Sequence, residues 1–120
     1  QHRTNPPLHA LATLNDTTFV EAARRLAERI LLPPSSTPEG RLEMLFRLVL
    51  ARPPSGDEQA RLVAAVARYH RQFQAAPENA GRLLKVGDSP SHPALPPAEL
   101  AAYTLVCATV MNCDEALTRE

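Results

Sequence analysis

The sequence predicts an all-α protein, a compact bundle of five or six helices joined by proline-rich turns. Apolar residues recur at the three- and four-residue spacing that places them on one side of a helix. The 12 prolines, together with Ser, Thr and Asp residues, divide these apolar stretches at positions where helices begin and end. No stretch alternates apolar and polar residues as a half-buried strand would.

The size and composition of the chain fit one domain. We expect residues 1–120 to form a single helical unit with one core. Hydrophobic residues make up 44% of the chain, which suits a globular protein, whereas aromatic residues make up only 4%. Since few large rings are available, the core must come from close packing of helices rich in Ala and Leu.

Two helices are predicted before the first double proline. The first covers Pro7 to Leu14. Asp16 is then a suitable N-cap for a second helix, Thr17 to Leu32, which has an apolar stripe on one side. We expect the opposite face of this helix to be charged and exposed, and it contains Glu21, Arg24, Arg25, Glu28 and Arg29.

The third and fourth helices are predicted to be antiparallel neighbours. Thr37 is placed to cap the third helix, which ends at a double proline. Ser55 and Glu58 have the spacing of a capping box, and the fourth helix extends from them to about Ala75. The connection between the two helices is short, and this favours antiparallel packing.

The last third of the chain contains a short helix, a long loop and a long helix. The short helix is predicted from Pro77 through Val86, with Gly87 as its stop. Residues 87–97 form the longest loop, which we expect to be ordered only by packing. The last long helix begins at Pro97 and ends near Asn112, so that residues 112–120 form a turn or a separate terminal helix.

Charge and length argue against two classes of function. The chain has 13 basic and 13 acidic residues, so it lacks the basic excess of most nucleic-acid-binding modules. Its apolar runs are too short to cross a membrane. We therefore expect no nucleic-acid partner and no membrane span. A nucleic-acid interface would require one shared face for Arg24, Arg25, Arg29, Arg61, Arg68 and Arg71.

Residue spacing assigns no catalytic, metal-binding or cofactor-binding site. The 4 histidines lack the spacing of a zinc motif, and no C-x-x-C-H haem attachment sequence is present. We therefore expect no cofactor in this chain. Cys107 and Cys113 point about 120° apart on a helix, which favours thiols in or near the core over a disulfide between them.

A few polar residues are the candidates for a site, should one exist. Asn5 and Asn15 lie in the first segment, and Asp114 and Glu115 lie near the end of the chain. The simpler interpretation is that these residues form turns at helix ends, where Asn and Asp side chains bond to nearby backbone groups.

Several short segments along the chain together form a recognisable sequence pattern. They are Arg3-Thr4-Asn5, Pro7-Leu8, Leu14-Asn15-Asp16, Phe19 to Ala23, Phe46-Arg47, Arg52-Pro53-Pro54, Asn112, Asp114-Glu115 and Thr118-Arg119-Glu120. This pattern resembles the C-terminal part of a planctomycete family catalogued as domain of unknown function 1553, and the resemblance spans nearly the whole chain. Pro6 and His9 differ from the Thr and Gln expected at those positions.

The resemblance implies that the chain is a fragment from the C-terminal end of a large exported bacterial protein. Members of the family typically carry an upstream cytochrome-c-type haem domain and a second uncharacterised domain, so haem is implied for the parent at most. No activity and no catalytic residue is established for the family. The resemblance therefore supplies neither to this chain.

Two functions remain open at this point. The chain is either an accessory or interaction domain that packs against upstream domains of its parent, or one wall of an active site completed by those domains. The second function would involve extracellular polymers or haem-linked redox chemistry. If the chain is an accessory domain, we expect an exposed apolar patch. If it forms part of an active site, we expect polar side chains that converge in a cleft.

Overall fold

Five helices make up the part of the chain that the computed structural model describes, which is residues 16–34 and 36–118, with side chains up to residue 113. They are α1 (Thr17–Leu31), α2 (Pro38–Leu50), α3 (Gly56–Ala75), α4 (Pro77–Leu84) and α5 (Pro97–Thr118). These residues contain no strand, and the prediction of an all-α bundle is confirmed. The helix predicted over Pro7 to Leu14 lies outside the described residues.

The last helix, α5, lies at the centre of the bundle. It contacts each of the other four helices, and α1 and α3 cover most of its surface. Its side chains from Leu100 to Val110 are almost all buried, which is typical of a helix enclosed by its neighbours. Thr104, in the middle of this stretch, satisfies its hydroxyl by donating to the carbonyl of Leu100 at 2.7 Å.

Small buried side chains are found on both α1 and α5, which contact each other, as the scarcity of aromatic residues predicts. Ala23 and Ala27 of α1 are fully buried, and so are Ala101 and Ala102 of α5. A helix that presents alanine to its neighbour can pack at the short end of the usual distance range. The core therefore depends on close contact between helices and not on bulky rings.

The predicted helix starts are confirmed by their hydrogen bonds. The Asp16 carboxylate accepts from two backbone N–H groups of the first turn of α1, and the Thr37 hydroxyl accepts from Gly40. Ser55 and Glu58 form the reciprocal bonds of a capping box at the start of α3. Each cap stabilises its helix by about 1 kcal/mol, since it satisfies a donor that the helix itself cannot.

Two predicted helix ends are wrong. The helix α5 continues through Asn112 to Thr118, because residues 113–118 contain neither Pro nor Gly and so nothing stops the helix. The helix α4 ends at Leu84 and not at Val86. Gly87 adopts a left-handed backbone conformation with φ of 96°, but it does so in the following loop and not at the helix end.

The prediction of a charged face on α1 opposite the apolar stripe holds for Arg25 and Arg29, which are exposed, and is wrong for Arg24 and Glu28. Arg24 is completely buried and Glu28 is 9% exposed, because the loop between α4 and α5 lies across them. This loop is held by hydrogen bonds to charged side chains, and the expectation that packing alone would order it is therefore wrong as well.

Candidate functional site

The most concentrated set of charged side chains lies where α1 meets the loop after α4. Glu21, Arg24 and Glu28 point to the same side of α1, since residues three, four and seven positions apart share a helix face. We call these residues the clamp. They contact residues 87–92 of the loop, which we call the strap.

Arg24 binds the carbonyl groups of the strap. One of its terminal nitrogens donates to the Ser89 carbonyl at 2.6 Å, and the other donates to the Pro90 carbonyl at 3.1 Å and to Glu28 at 3.0 Å. Its Nε is buried and has no hydrogen-bond partner among the described residues. A fully buried guanidinium is stable only when carboxylates compensate its charge, so Arg24 depends on its neighbours in the clamp.

The two carboxylates of the clamp bind the N–H groups of the strap. Glu21 accepts from the backbone N–H of Ser89 at 2.9 Å and of Asp88 at 3.4 Å, and Glu28 accepts from that of His92 at 2.9 Å. The hydroxyl and then the backbone N–H of Ser89 are the main groups that lower the pKa of Glu21 below its ordinary value. The clamp therefore recognises the strap mainly through its backbone.

Gly87 lets the strap approach Glu21 closely. A Cβ atom at this position would lie 2.6 Å from the Glu21 Oε1 atom, and the backbone φ of 96° is one that only glycine adopts without strain. The strap therefore occupies the clamp, and the polar atoms of the clamp, apart from Arg24 Nε, are bound to the chain itself.

A second charged cluster fixes the turn between α2 and α3. The guanidinium of Arg52 makes two parallel bonds to the Glu58 carboxylate, at 2.8 and 2.9 Å, and also lies over the ring of Phe46. Hydrogen bonds from Arg52 and Ser55 lower the pKa of Glu58 despite its burial. The same carboxylate thus completes the capping box of α3 and anchors the turn to α2.

A third cluster joins α2 to α5. Arg41 donates to Ser36 at 2.8 Å, to the Tyr103 hydroxyl at 3.1 Å and to Glu99 at 3.3 Å, and its guanidinium lies over the Tyr103 ring. Burial raises the pKa of Tyr103 above its ordinary value, against the opposing effect of Arg41. This arrangement holds the N-terminal turns of the two helices together.

The outer side of α2 presents apolar side chains to solvent. Gly40, Met44 and Leu48 follow one another at four-residue spacing, and we call them the α2 stripe. With Glu43 and Arg47, whose side chains form an exposed ion pair at 3.1 Å, they line a shallow, open groove. Leu48 is 41% exposed.

Comparison with protein families gives one match. The model of a family described as "Protein of unknown function (DUF1553)" matches residues 1–66, which is more than half of the chain. The chain belongs to the DUF1553 family. No curated protein and no solved structure matches it.

The region matched by the DUF1553 model contains the whole of α1 and α2, the clamp and the start of α3. It therefore includes the Arg52–Glu58 pair, and the structure gives these two residues a clear role in joining two helices. The strap and α5 lie beyond the matched residues. Planctomycete origin and an upstream haem domain in the parent stay predictions.

The side chains of the four polar candidates of the sequence analysis all lie outside the described residues. Asn5 and Asn15 lie outside them. Asp114 and Glu115 lie within α5, so the prediction that they occupy turns is wrong, and their side chains lie outside the described part. No catalytic role was predicted for these DUF1553 residues, and their place as polar candidates for a site stays an untested prediction.

The histidines and cysteines among the described residues form no metal site. No group of three or more His, Cys, Asp or Glu side chains there is arranged to hold a metal ion. His92 accepts a hydrogen bond from Ala94 on Nδ1, at 3.1 Å, and His70 is half-buried on α3. Cys107 is buried in the core, and this burial raises the pKa of its thiol.

The arginines needed for a nucleic-acid interface do not share one exposed face in this DUF1553 chain. Arg24 is buried in the clamp, and Arg61 pairs with Asp57 on α3 at 3.1 Å. Arg25 and Arg29 lie on α1, which packs on α5 and makes little contact with α3. Within the described residues, no helix has both the length and the apolar character to span a bilayer.

Sequence reasoning missed the clamp, although a local signal for it exists. Arg24 follows Val20 by four residues and precedes Ala27 by three, which places it on the apolar side of α1. An arginine inside an apolar stripe requires carboxylates nearby, and Glu21 and Glu28 are at helical spacing from it. The sequence does not reveal that the strap binds there, because its residues are more than 60 positions away.

Proposed function

We propose that this chain is a non-catalytic accessory domain of a large exported protein, and that it packs against other domains of its own parent. The observation that carries the proposal is the α2 stripe. Leu48 is 41% exposed and Met44 is half-buried, on the side of α2 opposite Leu42 and Leu45, although Met44 also packs against the core. Protein interfaces have an apolar centre and a polar rim, and an apolar strip beside a charged pair fits this arrangement.

The charged clusters support an accessory role because they are used within the bundle. The clamp binds the strap, the Arg52–Glu58 pair holds the α2–α3 turn, and Arg41 ties α2 to α5. An active site needs polar groups that converge and remain available to a substrate. In the described residues, the polar groups that converge are bound to backbone or to each other, apart from the buried Nε of Arg24.

The family resemblance supports the remaining parts of the proposal. Members of the family are large and exported, and a domain of this kind would pack against upstream domains of the same polypeptide. Contacts between domains usually bury about 600 to 1,500 Å². The α2 stripe is therefore proposed as the centre of a wider contact surface. Cell fractionation of the parent protein tests the exported location.

An association experiment tests the docking role. The chain, which has its own core, and the rest of its parent are produced as separate polypeptides, and their binding is measured by titration calorimetry. We expect Leu48→Glu to weaken this binding by roughly tenfold or more, because it buries a charge in an apolar contact. Leu32→Glu is the matched control, since Leu32 is 45% exposed but lies at the end of α1.

The outcomes separate the accessory role from the active-site role. Failure of the two parts to associate, or equal weakening by both variants, contradicts docking through the α2 stripe. Loss of an activity of the parent on replacing Asp114 and Glu115 by Ala, with association intact, would favour the active-site interpretation instead. Circular dichroism of each variant verifies that the helices are retained.

A further inference from the structure

The strap is held almost entirely by the charged side chains of α1. Its N–H groups at Asp88, Ser89 and His92 donate to the clamp carboxylates, and its carbonyl groups at Ser89 and Pro90 accept from Arg24. The Ser89 hydroxyl also accepts from Arg25 at 3.2 Å.

The strap itself contributes no buried apolar side chain. Asp88 and Pro90 are exposed, and the other residues of the strap are half-buried. The helices on either side are different, since Leu84 of α4 and Leu100 of α5 are both buried in the core. The strap can therefore leave α1 without unpacking either of these helices.

We propose that the strap is an acid-sensitive latch, closed on α1 while Glu21 is ionised and released locally, as one unit, when this carboxylate is protonated. Protonation removes the charged acceptor of two strap N–H groups and leaves Arg24 with only Glu28 to compensate its charge. Release uncovers the guanidinium of Arg24 and the side of α1 that the strap covers. This inference is independent of the proposed docking role.

The groups around Glu21 set the direction of the effect. On α1, the Arg24 guanidinium lies 3.9 Å from the Glu21 carboxylate, and Arg25 follows Arg24 in sequence. The strap supplies Ser89, exposed Asp88 and, further along, His92. Because the pKa of Glu21 is lowered in the closed state, closure is fully favoured above the ordinary pKa of a glutamate. The contribution of ionised Glu21 to closure is lost as the pH falls through the lowered pKa of this group.

Amide hydrogen exchange, measured by NMR between about pH 6.5 and 3.5 and corrected for intrinsic exchange rates, tests the latch around the ordinary glutamate pKa. We expect the protection of the Ser89 and His92 amides to fall together by roughly tenfold or more at the acidic end. The amides of Val106 and Cys107, at the centre of α5, exchange mainly through global unfolding, so they should stay much more strongly protected than the strap amides at every pH. Loss of Ser89 protection only together with these α5 amides, or none at all, would overturn the proposal.

Substitutions connect the release to Glu21. Glu21→Gln should reduce the protection of both strap amides already at neutral pH and abolish its pH dependence. Glu43→Gln makes the same chemical change in the exposed pair with Arg47 and should leave the strap profile unchanged. A strap that stays protected in Glu21→Gln, or that loses Ser89 protection but keeps that of His92, contradicts a latch that opens as one unit.

A milder variant keeps the test available if Glu21→Gln fails to fold. Ser89→Ala removes the hydroxyl that contributes most to lowering the pKa of Glu21 and that also accepts from Arg25, but it keeps the backbone bonds of residue 89 to the clamp. The release of the strap should therefore move to higher pH in this variant. An unchanged midpoint would show that Glu21 does not control the strap.

Discussion

Arg52 and Glu58 face each other across the α2–α3 turn and make two parallel hydrogen bonds, at 2.8 and 2.9 Å. The carboxylate also accepts from the Ser55 N–H, so one side chain serves both the helix cap and the ion pair. Glu58 is 5% exposed, whereas the Arg52 side chain is 44% exposed. Loss of the glutamate should therefore cost more than loss of the arginine.

We expect Glu58→Ala to lower the free energy of unfolding by about 2 to 3 kcal/mol, since both the cap and the charged bonds are lost. Arg52→Ala should cost about 1 kcal/mol less, because the cap remains. Urea unfolding measures both values. Glu43→Ala, which breaks the exposed pair with Arg47, is the control and should cost less than about 0.5 kcal/mol. Equal costs for the two glutamates would contradict this role of Glu58.

The same carboxylate predicts a pH dependence of stability. The pKa of Glu58 is lowered in the folded chain, mainly by its hydrogen bond from Arg52. Its contribution is fully present above the ordinary glutamate pKa and is lost as the pH falls through the lowered value. Urea unfolding of the wild type and Glu58→Gln, measured from about pH 6.5 to 3.5, should show the two stabilities converging in acid. Parallel profiles would rule out this linkage.

Burial makes Arg24 more important to stability than its neighbour Arg25. Arg24→Ala should lower the free energy of unfolding by about 3 kcal/mol or more, because it leaves the clamp carboxylates uncompensated. Arg25→Ala is the matched control, since its side chain is 62% exposed, and should cost less than about 1 kcal/mol. Thermal or urea unfolding measures the difference, and similar costs at the two positions would mean that the clamp does not stabilise the fold.

Two glycines should respond to alanine with opposite signs. Gly87→Ala places a Cβ against Glu21 in a left-handed conformation and should destabilise the chain by about 1 to 3 kcal/mol. Gly81 lies within α4 with open space around it, so Gly81→Ala should stabilise the chain by about 0.5 to 1 kcal/mol. Urea unfolding gives both signs. A neutral Gly87→Ala would mean that the strap moves away from Glu21 at little cost.

The end of α2 offers a stabilising substitution. Ala51 follows the helix with φ of 59° and ψ of 29°, a left-handed conformation that disfavours any residue with a Cβ atom. Ala51→Gly should raise the free energy of unfolding by about 0.5 to 1 kcal/mol. The same change at exposed Ala64, inside α3, should lower it by about 1 kcal/mol. Destabilisation by Ala51→Gly would contradict strain at this position.

Sequence reasoning predicted the features that depend on neighbouring residues. The caps at Asp16, Thr37 and Ser55 were predictable because each involves hydrogen bonds within three positions along the chain. The end of α5 was predicted too early, near Asn112. In the structure this residue is 9% exposed and lies inside a continuing helix.

The clamp could not be predicted because it depends on distant parts of the chain. The sequence places Arg24 on a helix, but its bonds to Ser89 and Pro90 form only after α4 and α5 have packed. A charged residue on a predicted helix is exposed in most proteins, so the charged-face interpretation was the natural one. The side of α2 that stays uncovered also depends on how the other helices pack, so the α2 stripe could be recognised only from the structure.

The order of the helices has a consequence for synthesis. The helix α5, which contacts the four others, is the last of the five described helices to leave the ribosome. Until then the apolar sides of α1 and α3 have no common surface to cover them, and such transiently exposed segments favour aggregation. A truncated product that stops before Pro97 should therefore be insoluble or dependent on a chaperone, whatever the stability of its individual helices.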